Sequence, residues 1–152
     1  LGPEAVPLLM AQCVLVFAER YDEADRAMRA QQVEAQRIGS PLGFALASAY
    51  RGHVARRLGD LPRAEAECRA GWDVLIDYEL PVFRPLALGF LLDALTEAGR
   101  LDDAEAALVE AGPLARTGAD DVVESGFVAA RGRLRLAQRR PPAHPEREIR
   151  SP

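Results

Sequence analysis

Three segments of this chain repeat one another at a fixed distance. AERYDEADRAM runs from Ala18 to Met28, LGDLPRAEAEC from Leu58 to Cys68 and AGRLDDAEAAL from Ala98 to Leu108, each 40 residues after the one before. In that register Tyr21, Leu61 and Leu101 coincide, as do Ala24, Ala64 and Ala104, and Met28, Cys68 and Leu108. Gly59 matches Gly99, with Glu19 in their place in the first copy. Upstream, Pro41 matches Pro81, Leu46 matches Leu86 and Tyr50 matches Phe90, without insertion or deletion. Some matches come free in a chain rich in Ala and Leu. A constant register in which apolar, small and turn positions each keep their class does not. It requires a unit that packs against further copies of itself.

Each unit reads as two helices. Helix A is apolar on several sides and runs from about Leu42 to Leu58 in the second unit and from about Phe83 to Ala98 in the third. Pro41 and Pro81 stand just before it, and Pro85 is tolerable only in its first turn. Gly59 and Gly99 close it, as glycine does where a helix ends in the left-handed conformation. Helix B begins with Asp22, Pro62 or Asp102; an early acid suits the helix dipole and proline is harmless in the first turn. Leu101, Ala104, Ala107, Leu108 and Ala111 form one apolar stripe with Asp102, Asp103, Glu105 and Glu110 off it. The alanines at 24, 64 and 104 let helix B approach helix A closely, and Gly52 and Gly132 are expected to do the same on helix A.

Composition agrees with helix. Aromatics are 6% and β-branched residues few, whereas Leu and Ala dominate the 49% of hydrophobic residues. The net charge is −4, and all 19 basic residues are arginine, a mark of a GC-rich coding sequence. Without lysine there is no P-loop and no Schiff-base chemistry. An acidic balance argues against a generic nucleic-acid binder. Cys13 and Cys68 fall in helices at a spacing that fits no metal motif, and read as small buried hydrophobes in a reducing compartment. The most apolar run, LLMAQCVLVFA, is far short of the ~20 residues of a membrane span and lacks the flanks of a signal peptide.

GFVAARGRLRLAQRR, Gly126 to Arg140, has the pattern of a fourth helix A, after a breaker-rich loop that ends the third helix B near Ala111. The tail PPAHPEREIRSP is irregular, and both chain ends read as those of a fragment of a larger protein. A plain bundle would not need a fixed period, and HEAT and armadillo arrays have similar ones. The pattern GxLxxAE at Gly59–Glu65 and Gly99–Glu105 resembles the tetratricopeptide class more closely. The expected fold is therefore all-α: a tetratricopeptide-like right-handed helical solenoid of about three and a half two-helix repeats of 40 residues, over residues 1–140, with a tail over 141–152.

No GxGxxG, HExxH, GxSxG or CxxC occurs. The acidic pairs Asp102-Asp103 and Asp120-Asp121 are adjacent residues near helix starts, which do not face one another, so no metal or other cofactor is expected. In tetratricopeptide-like stacks the A helices line the concave surface. That surface would present Leu46, Ala49, His53, Arg56 and Arg57 from the second unit, Leu86, Gly89, Asp93, Thr96 and Glu97 from the third, and Ala129 and Arg133 from the fourth. The candidate binding residues are His53, Arg56, Arg57, Asp93, Thr96, Glu97 and Arg133. His53 and Asp93 hold equivalent places one unit apart, and a pair between them would raise the histidine pKa. A hydrogen-bonded boundary histidine is the competing reading. The arginines at 131, 133, 135, 139 and 140 are either an anion-binding patch or a solvated helix surface. Trp72, Tyr78 and Phe83 read as core and hinge packing.

YDEADRAMRAQ, GSPLGFALASAYRGHVA, LPRAEAECRAG, FRPLALGFLLDALTEAGRLDDAEAALVEAG and ARGRLRLAQRR together resemble the helical-repeat region of large bacterial ATP-binding LuxR-type regulators, similar to the maltose-regulon activator class. The resemblance covers roughly Leu8 to Arg140 and carries no catalytic signature. It implies a non-catalytic, cytoplasmic, effector-sensing and protein-interaction region. A protein, peptide or small-molecule effector would sit in the concave groove, and ATPase and DNA-binding domains would neighbour it in the full-length protein. It implies no direct contact with nucleic acid or membrane, and leaves open homo-oligomerisation through an exposed terminal repeat. The alternative is a free-standing scaffold or peptide-binding adaptor; an enzyme is the reading from a different class.

Overall fold

A computed structural model describes residues 6–112 and 121–139. Seven α-helices and one 3-10 turn account for the secondary structure of these residues, and no strand occurs among them. The helices are α1 (Val6–Phe17), α2 (Tyr21–Ile38), α3 (Pro41–Arg57), α4 (Leu61–Asp77), α5 (Arg84–Glu97), α6 (Leu101–Ala111) and α7 (Asp121–Gln138), with the 3-10 turn at Pro81–Phe83 leading into α5. Helices α2, α4 and α6 begin at 21, 61 and 101, and α1, α3 and α5 end at 17, 57 and 97. The repeat in the sequence is thus a repeat in the backbone, displaced by one residue from the expected boundaries. The last A helix starts at Asp121 instead of Gly126. The tail over 141–152, and all but the edges of the loop before α7, lie outside the described residues.

One kind of turn recurs between successive helices from α1 to α6. Glu19, Gly59 and Gly99, each closing an A helix, have φ of 57°, 82° and 73°. The amides that follow, of Arg20, Asp60 and Arg100, donate to the carbonyls of Leu15, Ala55 and Leu95 at 2.9, 2.9 and 3.0 Å. This closure satisfies carbonyls that a helix end leaves orphaned. The B-to-A turns use the same device. Gly39 and Glu79 have φ of 68° and 54°, and Ser40 and Leu80 donate back to Ala35 and Leu75 at 2.8 and 2.9 Å. A left-handed residue therefore stands at 19, 39, 59, 79 and 99. The 20-residue half-period was not expected from the sequence, because two of its five positions carry glutamate.

Packing centres on α3, which touches α2 and α4 on its flanks and α5 beyond. Ala24, Ala64 and Ala104 are each fully buried. Ala24 lies in one cluster with Val54, Ala64 in one with Ala94, and Ala104 in one with Leu134, so each alanine is grouped with the residue 30 positions on. Gly52 does what the sequence asked of it. A Cβ there would meet the Cys68 sulfur, the Ala64 carbonyl at 2.8 Å and the Cys68 nitrogen at 2.9 Å. From the other side, a Cβ on Gly71 of α4 would lie 2.8 Å from the Ala45 carbonyl. Backbone meets backbone here, and only small residues fit. Gly132 corrects the expectation: nothing lies within 4 Å of a Cβ placed on it.

One buried polar assembly ties α2, α3 and α4 together. Arg51, 7% exposed, donates to Asp25 at 3.2 Å, to Gln32 at 2.5 Å and to Glu67 at 2.6 Å. Gln32 in turn donates to Ser48 at 2.8 Å, and Arg63 closes on Asp25 from α4. Arg29 also reaches Asp25, at 3.7 Å from within α2, so the two carboxylates of the assembly are held by guanidiniums from all three helices.

Candidate functional site

The A helices bring one position of the repeat into a row: Cys13 on α1, His53 on α3, Asp93 on α5 and Arg133 on α7. A common offset links them. The Cys13 thiol donates to the Tyr50 hydroxyl at 3.3 Å, 37 residues on. His53 packs its ring on Phe90, also 37 residues on, with centroids 4.4 Å apart and planes at 34°. Tyr50 and Phe90 meet edge to face at 5.4 Å.

The candidate residues join this row or border it. Arg133 clasps Asp93 with two hydrogen bonds of 2.8 and 2.7 Å. Arg56 reaches Asp93 from the other side at 3.9 Å and binds Glu97 more closely. The carboxylate of Asp93, only 7% exposed, is thus shared between guanidiniums from α3 and α7. The Thr96 hydroxyl, Arg56 Nε and His53 Nδ1 are buried without a hydrogen-bond partner among the described residues. Arg57 adjoins His53 but turns toward α2, donates to the Tyr21 hydroxyl at 2.9 Å, lies over that ring at 5.7 Å and pairs with Glu19 at 3.6 Å.

The rise in pKa that a His53–Asp93 pair would bring is reversed. Burial pushes the His53 pKa down to about 4, and the positive charges of Arg56, Arg57 and Arg133 push the same way. Asp93 does not restore it, because its oxygens are directed to Arg133 and Arg56. His53 is a neutral, aromatic-packed side chain, not a titrating partner of Asp93. The same ion pair holds Arg133 above its ordinary value.

A small opening borders the row, and larger ones lie elsewhere. A cleft of about 180 Å³ adjoins His53 and Arg57, lined also by Val16, Phe17, Glu19 and Tyr21. A cleft of about 420 Å³ runs along the α2–α3 turn past Ile38, Leu42, Leu80 and Tyr78. Tyr78 is therefore mostly exposed and not part of the packed hinge, whereas Trp72 is buried and Phe83 packs on the core. A third cleft, of about 400 Å³, is walled by Trp72, Ile76, Asp73, Asp77 and Glu110. There burial, with repulsion from Asp77 and Glu110, outweighs Arg69 and holds the Asp73 carboxyl above the usual range.

Cys13 and Cys68 are buried free thiols, and burial pushes the Cys68 thiol strongly up, away from the reactive thiolate. No helix among the described residues is long and apolar enough to cross a membrane. Sequence reasoning missed Arg51 and its partners. The available signal was a charge at a helix-A position that the next unit fills with Leu91. Comparison with protein-family models, curated proteins and solved structures finds no match for this chain.

Proposed function

We propose that this chain is a non-catalytic, tetratricopeptide-like helical array that serves as the effector-sensing and protein-interaction region of a cytoplasmic LuxR-type transcriptional regulator. The array is supported by the 40-residue recurrence of helix ends, left-handed turns and buried alanines. The regulator reading rests on the resemblance of the repeat phrases. One observation carries the sensing role: Arg56, Asp93 and Arg133 form a continuous ion-pair row across three successive A helices. A ligand that takes one of these partners changes the relation between all three units. It acts by differential affinity for two arrangements of the same helices.

The test is hydrogen exchange on the chain with a panel of small metabolites and peptides, beside Asp93→Asn and Glu97→Gln. A genuine effector protects amides of α3, α5 and α7 and loses about tenfold or more in affinity with either substitution. Asp93→Asn also removes the charge that Arg56 and Arg133 share, at a cost of about 1 kcal/mol, since Arg133 is half exposed and Arg56 keeps Glu97. Glu97→Gln, at a more exposed carboxylate, separates binding from folding. Protection confined to α2, α4 or α6, or affinity indifferent to both substitutions, removes the row from the mechanism.

A further inference from the structure

One place in the repeat is filled by a guanidinium between the second and third units and stands open between the first and second. Arg56 pairs there with Asp93 at 3.9 Å and with Glu97, and its side chain is only 12% exposed. Forty residues earlier these three positions hold Val16, His53 and Arg57. The same three line the cleft of about 180 Å³ between the α1–α2 turn and α3. The opening thus arises from a difference within the repeat: a valine stands where the next unit has a long side chain. Its walls, α1 with the start of α2 on one side and α3 on the other, all lie among the described residues. The charges are inverted as well. Where Arg56 meets two carboxylates, the cleft offers a guanidinium and a neutral imidazole.

We propose that this cleft binds a small apolar carboxylate, with the acid group on Arg57 and the hydrocarbon on Val16 and Phe17. Tyr21 adds a second hydrogen bond. Its hydroxyl accepts from Arg57 Nε at 2.9 Å, which leaves its own proton to donate to the acid. The guanidinium lies over the Tyr21 ring at 5.7 Å, a contact that holds it in place. Glu19 marks where the anion sits. Its carboxylate, mostly exposed, stands 3.6 Å from Arg57, and the ligand's acid group takes over that pairing. Gly59 and Gly99 hold the same left-handed site in the other copies, so the turn does not need the Glu19 side chain. The volume lies below the roughly 300 Å³ at which drug-sized sites begin, which limits the guest to a small acid. A cation of the same shape is repelled by Arg57. The cleft uses none of Arg56, Asp93 and Arg133, so it stands or falls independently of the sensing role.

The probe is benzoate, titrated into the full chain and followed by backbone amide shifts in NMR spectra. The amides of Val16 to Tyr21 and of His53 to Arg57 are expected to shift together, with a Kd of about 0.1–1 mM at low salt. Benzamide and benzamidine, the neutral and cationic counterparts, should each bind about tenfold or more weakly. Arg57→Gln, at a half-exposed side chain, should cost about tenfold or more in affinity for benzoate. Glu19→Gly should do the opposite and tighten binding about three- to tenfold, because it removes the internal competitor for Arg57. It installs the residue that Gly59 and Gly99 supply in the other copies, so the fold is retained. The proposal is overturned by an absence of shifts at about 10 mM benzoate, by equal binding of benzamide, or by affinity that ignores both substitutions. A preference of about tenfold for N-acetylglycyl-leucine over benzoate overturns it equally, since the cleft would then belong to a peptide C-terminus.

Discussion

Helices α3 and α7 are two settings of one design. Both are A helices, both carry glycine at the same repeat position, and both turn an apolar side toward α5. Around α3 the neighbours close on every side, so Ala45, Ala47, Ala49, Gly52 and Val54 are all buried. Among the described residues, they close on α7 from one side only. The contrast shows that a small residue in a repeat marks where a helix can come close. Whether one does depends on what stands beside it.

Filling the two glycines should break or establish this contrast most sharply. Gly52→Leu drives a side chain into the backbone of α4 and should cost about 3 kcal/mol or more, or abolish folding. Gly132→Leu should instead stabilise by about 0.5–1 kcal/mol, the gain in helix propensity. Urea unfolding of both variants measures the gap, and comparable losses would mean that α7 is as enclosed as α3.

The next position along distinguishes the two helices by pH. It holds His53 on α3 and Arg133 on α7, and arginine keeps its charge throughout this range. The folded pKa of His53 lies near 4 against an ordinary 6.5. Above about pH 6.5 both states hold it neutral. As pH falls the unfolded chain binds the proton first, so stability is lost from about pH 6.5 down to about 4 and the loss then levels off. The full amplitude is at most about 3 kcal/mol. His53→Phe, retaining the ring against Phe90, should remove that component of the pH dependence. A variant with the parent's slope would show that the imidazole is solvated like a surface group.

The turns repeat the comparison on a smaller scale. Gly39 and Glu79 occupy the same left-handed site, but only glutamate carries a Cβ that resists it. Glu79→Gly should raise stability by about 0.5–1 kcal/mol, net of the added freedom of the unfolded chain. A thermal melt that falls instead would show that the Glu79 side chain contributes more than its backbone costs.

Much of this was legible in the sequence because it is local. Helix ends, proline starts and the buried alanines recur every 40 residues, and each needs only its own segment to be recognised. The glutamates at 19 and 79 hid two turns, since residue type and backbone conformation disagree there. Arg56, Asp93, Glu97 and Arg133 meet in the structure, because a constant offset between parallel positions suffices to bring them together. Arg57 also borders His53, but its hydrogen bond and ion pair go to Tyr21 and Glu19 of the preceding unit. The sign of the His53 shift was not legible either. It is set by Phe90 and by arginines from α3 and α7, a sum of neighbours that no single segment contains.

The substantial helix contacts reach no further than two helices along the chain. No part of the structure therefore waits for distant stretches to find each other before it gains anything by ordering. Assembly can begin at the α3–α4 pair, the most extensive helix contact, and spread outward from it, and melting can start at a less contacted helix and stop short of this pair. Such a molecule has graded rather than all-or-none responses available to it, with α1, which packs on little besides α2, the first of the described helices to let go.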